Sequence, residues 1–281
     1  MPGTFVDRSV PALPESPQVP ENFVRGMGFG ELARVARLRL LQMHYESRVG
    51  HIGGNLSCLD ILLCLYHTVM TQDDIFVLSK GHAAGAWYVA LWSRGLLSDD
   101  DLKQFHKDGT RLSGHPPVKG IPEIAFATGS LGHGLGLAAG IALAKRLQGL
   151  PGRVFCLTSD GEWNEGSCWE SLIFIAHQKL DNVTILVDAN GLQGFGRTNE
   201  VAALDPLADK FRLFGLSARE VDGHDLAALN DALGGTQVGP RAIVAKTEKG
   251  HGVSFMTNRM EWHYLPMTEE HYRQAIREVL G

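Results

Sequence analysis

Cysteine is scarce in this chain. Four occur in 281 residues (Cys58, Cys64, Cys156 and Cys168), each alone inside an apolar segment and none in a CxxC pair. That spacing excludes a disulfide framework or a zinc site built on cysteine pairs, and it suits buried thiols in a reducing compartment. Neither sign of charge is in marked excess: 26 basic and 31 acidic residues are intermixed and leave a formal net charge of -5. No basic stripe is available for nucleic acid or an anionic membrane, so any bound anion must be held locally. No apolar run approaches the ~18 residues of a membrane span and no signal peptide opens the chain, so we expect a cytoplasmic protein. Repeats of fixed period are also missing.

Apolar residues make up 44% of the chain, ample for a buried core. Five of the twelve prolines (Pro2, Pro11, Pro14, Pro17 and Pro20) fall in the first 22 residues, which we read as an extended arm; residues 23–281 form one domain. Leu32, Ala36, Leu40 and Met43 are spaced for a first helix whose arginines face water, and a second runs from Ser57 to about Met70. A strand over 74–79 precedes a helix over 83–95. "SDDD" (98–101) caps a helix reaching Lys107, and Leu131 to Gln148 has the small and apolar alternation of a tightly packed helix. Beyond lie strands 153–158, 183–188, 216–221 and 241–246 between helices 167–180, 206–214 and 225–234, with a last helix over 268–280. Strands alternating with helices give an α/β fold, a parallel sheet with helices on both faces, whose ligands collect at the carboxyl ends of the strands.

"SDGEWNEGS" (159–167) ends a strand in a carboxylate facing a helix amino end, where Trp169, Leu172, Ile173, Ala176 and Leu180 follow at helical spacing as a face for the sheet. A helix amino end attracts anions and Asp160 repels them; a divalent cation shared between the carboxylate and a phosphate group reconciles the two. The next strand supplies further oxygen donors, ending at Asp188 with Asn190 thirty positions beyond Asp160. Either residue alone is an ordinary turn residue. The pair, on consecutive strands, points to a metal.

An aspartate in a DG turn followed by that asparagine resembles the thiamine diphosphate motif. The chain from about 27 to 265 resembles the transketolase family, in the form whose diphosphate-binding domain is a separate amino-terminal subunit. The resemblance rests on an ordered set: "GHIGGNLS" (50–57), "FVLSKGHAA" (76–84), "GHPP" (114–117), "TGSLGHGLGLAAG" (128–140), "SDGEWNEGS", "DANGLQGFG" (188–196), "VDGHD" (221–225) and "GVSFMTNRMEWH" (252–263). It implies the thiamine diphosphate-binding fold, with Mg2+ (Ca2+ or Mn2+ substituting) held by Asp160, Asn190 and the Leu192 carbonyl. The cofactor is expected against Gly129, Ser130, Leu131, Gly161, Glu162, Asn190, His82 and His251. Ser159 and Ala189 depart from the usual glycine and asparagine of the motif, but both metal-binding side chains remain. His51, His82, His115 and His263 are expected over the thiazolium ring as proton carriers, with Glu165 at the contact between cofactor sites and His133 near the cofactor. Gly134, Gly136 and Gly140 fit helix packing equally well.

The resemblance implies transfer of a two-carbon ketol unit from a ketose to an aldose, the substrates being sugars or sugar phosphates. A complete transketolase also needs a pyrimidine-binding domain and a carboxyl-terminal domain, so a partner subunit carrying both is expected, in an α2β2 assembly. The α subunit of a 2-oxo acid dehydrogenase is a second reading, disfavoured by the clustered histidines. A non-catalytic cofactor-binding paralogue is a third.

Overall fold

Each face of the central sheet needs its own apolar cover, and the strand sequences provide for both. In β2 (Val154–Ser159) all six side chains are buried, and in β3 (Val183–Ala189) all but the last. The structure is a computed structural model that describes residues 27–235 and 237–281; the expected arm over 1–22 lies outside the described residues. With β1 (Ile75–Leu78), β6 (Ser217–Asp222) and β7 (Arg241–Lys246), these strands form a five-stranded parallel sheet in the order β1-β2-β3-β7-β6. Phe155, Leu157, Leu186 and Ile243 enter one core with α1 (Phe29–Ser47), α2 (Ile52–Cys64), α3 (Ala84–Ser93), α9 (Leu226–Leu233) and α10 (Glu269–Leu280). Cys156, Ile185, Val187 and Val244 enter another with α5 (Gly134–Leu147), α6 (Gly166–His177) and α8 (Leu207–Leu213). This is the period-2 alternation of a sheet covered on both faces. Smaller elements include α4 (Asp99–Leu102), α7 (Thr198–Val201) and an antiparallel hairpin of β4 (Leu192–Gln193) and β5 (Gly196–Arg197).

Several boundaries differ from the expected ones. Helix α2 begins at Ile52 rather than Ser57: His51 turns the chain with φ +65°, and Gly53 packs where a Cβ would meet Lys249 and the Trp262 carbonyl at 3.1 and 3.2 Å. With the π-helical turn Leu65–Val69 it gives an 18-residue apolar segment long enough to cross a membrane, contrary to the sequence expectation; 83% of that segment is buried inside the protein as a core helix. Helix α4 keeps the Ser98 capping box with Asp101 but stops at Leu102, after which Phe105 is buried and His106 adopts φ +61°. Two α1 arginines do not simply face water, because Arg39 is buried against Asp99 (2.8 Å) and Arg37 pairs with Asp60 (3.2 Å). On α6 the sheet-facing side is Cys168, Leu172 and Ile175, while Ile173 is 53% exposed.

Candidate active site

In a parallel sheet, residues just past neighbouring strands lie side by side. Ser159 is in register with Asp188, so Asp160 and Asn190 follow at the same end of the sheet. Asp160 accepts the Gly161 N–H on Oδ1 (2.8 Å), and on Oδ2 the Gly191 N–H (2.8 Å) and Thr198 hydroxyl (3.0 Å). Since Gly191 is the neighbour of Asn190, one peptide joins the two expected metal ligands. Asn190 is oriented by the Leu192 N–H on its Oδ1 (3.1 Å) and by donating from Nδ2 to Asp188 (3.3 Å). Asp160 is 7% exposed and, among the described residues, forms no ion pair; burial and repulsion from Asp188 raise its pKa. A buried carboxylate with only neutral donors, beside an amide oxygen and the nearby Leu192 carbonyl, is an all-oxygen set that a hard divalent cation relieves. The residues fit a metal. A 3-10 turn, Gly161–Asn164, separates Asp160 from α6, so the first N–H beyond the carboxylate belongs to Gly161 and not to the helix itself.

Beneath this point lies a buried ion pair that sequence reasoning missed. Lys80 and Asp188 are both fully buried and in direct contact; Asp188 also accepts the Ser57 hydroxyl at 2.6 Å and that of Thr247. Burial opposes both charges, but each outweighs it for the other, raising the Lys80 pKa and lowering that of Asp188. Lys80 also donates to the Gly54 carbonyl at 3.0 Å, fixing the start of α2 to the end of β1. The signal was present in "FVLSK", a lysine directly at the end of an apolar strand.

His51, His82, His115 and His263 converge as expected. The His51 ring lies 5.6, 6.3 and 5.2 Å from those of His82, His115 and His263, and His82 lies 5.6 Å from His263. They line one cleft of about 330 Å3 with Gly129, Leu131, Gly161, Glu165, Asn190 and Leu192. Desolvation lowers the pKa of all four; for His263, the Lys249 and His51 charges add to it and the value falls to about 3. The rings are neutral at pH 7. Lys249, a second residue that sequence reasoning passed over, is 2% exposed, lies 2.8 Å from His263 Nδ1 and donates to the Leu192 carbonyl at 3.4 Å. Desolvation and the Lys80 charge lower its pKa to about 8, so it holds a readily transferred proton next to His263.

Four expectations need correction. The Glu162 carboxylate is not in the cleft: fully buried, it accepts from the Ser79 hydroxyl, the Gly132 N–H (2.8 Å) and the Ser159 N–H (3.3 Å), holding the 129–132 loop from behind. Ser130 and His133 are exposed and do not line the cleft, His133 instead contacting the Leu131 carbonyl (3.1 Å) before α5. His251 is turned away, because Gly250 and Gly252 take φ +77° and +83° and send Lys249 inward and His251 outward. There it stacks on His224 at 3.5 Å, beside Asp60.

That second cluster has metal-ligand spacing, with one donor atom from each of Asp60, His224 and His251 all within 4.8 Å of one another. Its hydrogen bonds close it to a cation. His224 Nε2 accepts the Glu248 N–H (2.9 Å), so its ring proton is on Nδ1 and is donated to Asp60 (2.8 Å), leaving no free lone pair.

A parallel sheet with both faces covered, and oxygen donors and neutral imidazoles gathered at its carboxyl end, defines an α/β cofactor-binding domain. The family model for the transketolase thiamine diphosphate binding domain matches residues 31–281, and the chain belongs to that family. One relative is an apulose-4-phosphate transketolase subunit of Phocaeicola vulgatus, to which the chain is 37% identical over 86% of its own length, covering 90% of that protein. To a 6-deoxy-6-sulfo-D-fructose transketolase subunit of a Clostridium species it is 35% identical, covering 88% of this chain and 94% of that one. A solved transketolase from Campylobacter jejuni superposes with a TM-score of 0.79 at 27% identity over 89% of this chain, which spans 42% of that chain. These matches favour the transketolase reading over a 2-oxo acid dehydrogenase.

Proposed function

We propose that this chain is the amino-terminal subunit of a two-subunit transketolase, functioning with a partner that supplies the remainder of the cofactor site. The observation that carries the reading is the convergence of four neutral histidines and Asn190 in one cleft, with Asp160 joined to Asn190 through the Gly191 N–H. Asp160, Asn190 and the Leu192 carbonyl would hold Mg2+, and Gly161 gives a diphosphate close access to backbone, since a Cβ there would lie 3.0 Å from Gln193. Bound there, thiamine diphosphate supplies an electron sink for breaking a carbon–carbon bond next to a carbonyl. The chain's own residues act on the sugar. Neutral His51, His82 and His115 offer ring nitrogens, free of hydrogen bonds to described residues, that accept protons from sugar hydroxyls; His263, backed by the Lys249 ammonium, donates and recovers a proton at a carbonyl oxygen.

The near-complete coverage of relatives that are named as subunits supports the partner. So do apolar side chains left in solvent on the packed pair α5 and α6 and the segment just after α5: Leu147 is 77% exposed, with Leu150, Ile173 and Phe174 also exposed. An α2β2 assembly with Glu165 at the contact between cofactor sites, and a cytoplasmic location in keeping with four buried unpaired cysteines, complete the proposal. Co-expression with a carboxyl-terminal transketolase subunit tests it. We expect two-carbon transfer from a ketose to an aldose that needs both chains, thiamine diphosphate and a divalent cation; release of CO2 from a 2-oxo acid instead would overturn it.

A further inference from the structure

The β4–β5 hairpin carries the Leu192 carbonyl and sets Gln193 against Gly161; it is anchored at Leu192, which is buried and bonded to Asn190 and Lys249, but has little to hold its tip. Each strand is two residues long, and Phe195 at its tip is 88% exposed, so neither ladder nor tip packing fixes its place. Among the described residues, one side chain from elsewhere bonds to its Gly194 tip. The Tyr264 hydroxyl donates to the Gly194 carbonyl at 2.8 Å, so closely that a Cβ on Gly194 would fall 2.4 Å from that oxygen. Tyr264 is 54% exposed, and water at such a site satisfies a phenol equally well; burial does not require this bond.

The main chain of Tyr264 is engaged on the opposite side. A Cβ on Gly50 would come 2.3 Å from the Tyr264 carbonyl oxygen, the His51 N–H donates to the His263 carbonyl (3.1 Å), and the rings of His263 and Tyr264 lie 4.7 Å apart. Tyr264 thus touches the segments that carry His51 and His263 and the hairpin that carries Leu192.

We propose that Tyr264 is a positioning residue that latches the β4–β5 hairpin to the histidine-bearing segments, so that the grip on the cofactor's metal and the placement of His263 are set together. The part concerning the cofactor rests on the transketolase reading. The latch itself does not.

Hydrogen exchange of residues 192–197 in the full chain tests the latch. Tyr264→Phe, which removes the hydroxyl alone, is expected to speed exchange there roughly fivefold, the scale of one neutral hydrogen bond, with the melting temperature little changed. Gly194→Ala breaks the same contact from the other side. Combined with Tyr264→Phe it should add nothing further, because the clashing oxygen is gone. Unchanged exchange in Tyr264→Phe, or additive effects of the two substitutions, would overturn the latch. In the complex with the partner subunit, calorimetry with thiamine diphosphate and Mg2+ should give a Kd several-fold weaker for Tyr264→Phe; faster exchange with an unaltered Kd would overturn the coupling to the cofactor. Failure of the wild-type complex to bind thiamine diphosphate would instead refute the transketolase reading, and the exchange result would still decide the latch.

Discussion

Two groups of histidines sit at the same carboxyl end of one sheet and are built on opposite rules. Beyond β2 and β3, the rings of His51, His82 and His115 face a cleft with no hydrogen bond to a described residue, and the His263 ring hydrogen-bonds only to Lys249 among the described residues. Beyond β6 and β7, His224 has both nitrogens committed, and His251 is held between Glu248 (3.2 Å) and the His224 ring. Proximity of histidines is common to both. The difference lies in which nitrogens keep a lone pair for a ligand or a moving proton.

Substitutions that separate the two groups test this contrast. The largest effect is expected beneath the open cleft: Lys80→Met leaves the Asp188 carboxylate buried without its partner and should cost roughly 3–5 kcal/mol in chemical denaturation. Asp160→Asn should lower two-carbon transfer by the assembled enzyme more than about 100-fold. The melting temperature of the metal-free chain should not fall, because the change removes repulsion between Asp160 and Asp188. His263→Gln should reduce kcat on the order of 100-fold, whereas His224→Gln should leave kcat within about twofold and cost roughly 1–2 kcal/mol of stability. A large kcat loss in His224→Gln would erase the distinction between the clusters.

The smallest effect is on pH dependence. His44 and His263 have pKa values pushed down to about 3, in each case first by desolvation. Both are neutral in the folded chain below pH 6.5, where their unfolded counterparts take up protons. Stability is therefore lost as pH falls from about 6.5 toward 3. Lys249, depressed to about 8, has the same sense at higher pH: its contribution rises between about 8 and its unfolded value near 10.5. Melting temperatures across pH 4–7 should fall with acidity, and less steeply in His44→Leu.

Much of this was legible because the relevant signals are local. The apolar runs of β2, β3 and β7, the Ser98 cap and the bounds of the last helix were read within a residue or two. Helix α2 began earlier than expected because Gly53 and Gly54 resemble a loop until Lys249 and His82 pack against them. Asp160, Asn190 and the four cleft histidines stand at motif positions, and their meeting follows from strand order. Glu162 and His251 stand at motif positions as well, but the first is consumed by backbone donors behind the loop and the second is turned out by two glycines. Lys80 and Lys249 were missed for a related reason: lysine in a sequence suggests solvent, and only the carboxylate or imidazole that the fold sets beside it shows otherwise.

The most direct measurement is a calorimetric titration of thiamine diphosphate into the complex of this chain with its partner, first with Mg2+ and then with the divalent cation chelated. Saturable binding is expected with Mg2+, lost on chelation and in Asp160→Asn. Binding of equal strength in all three samples would contradict it.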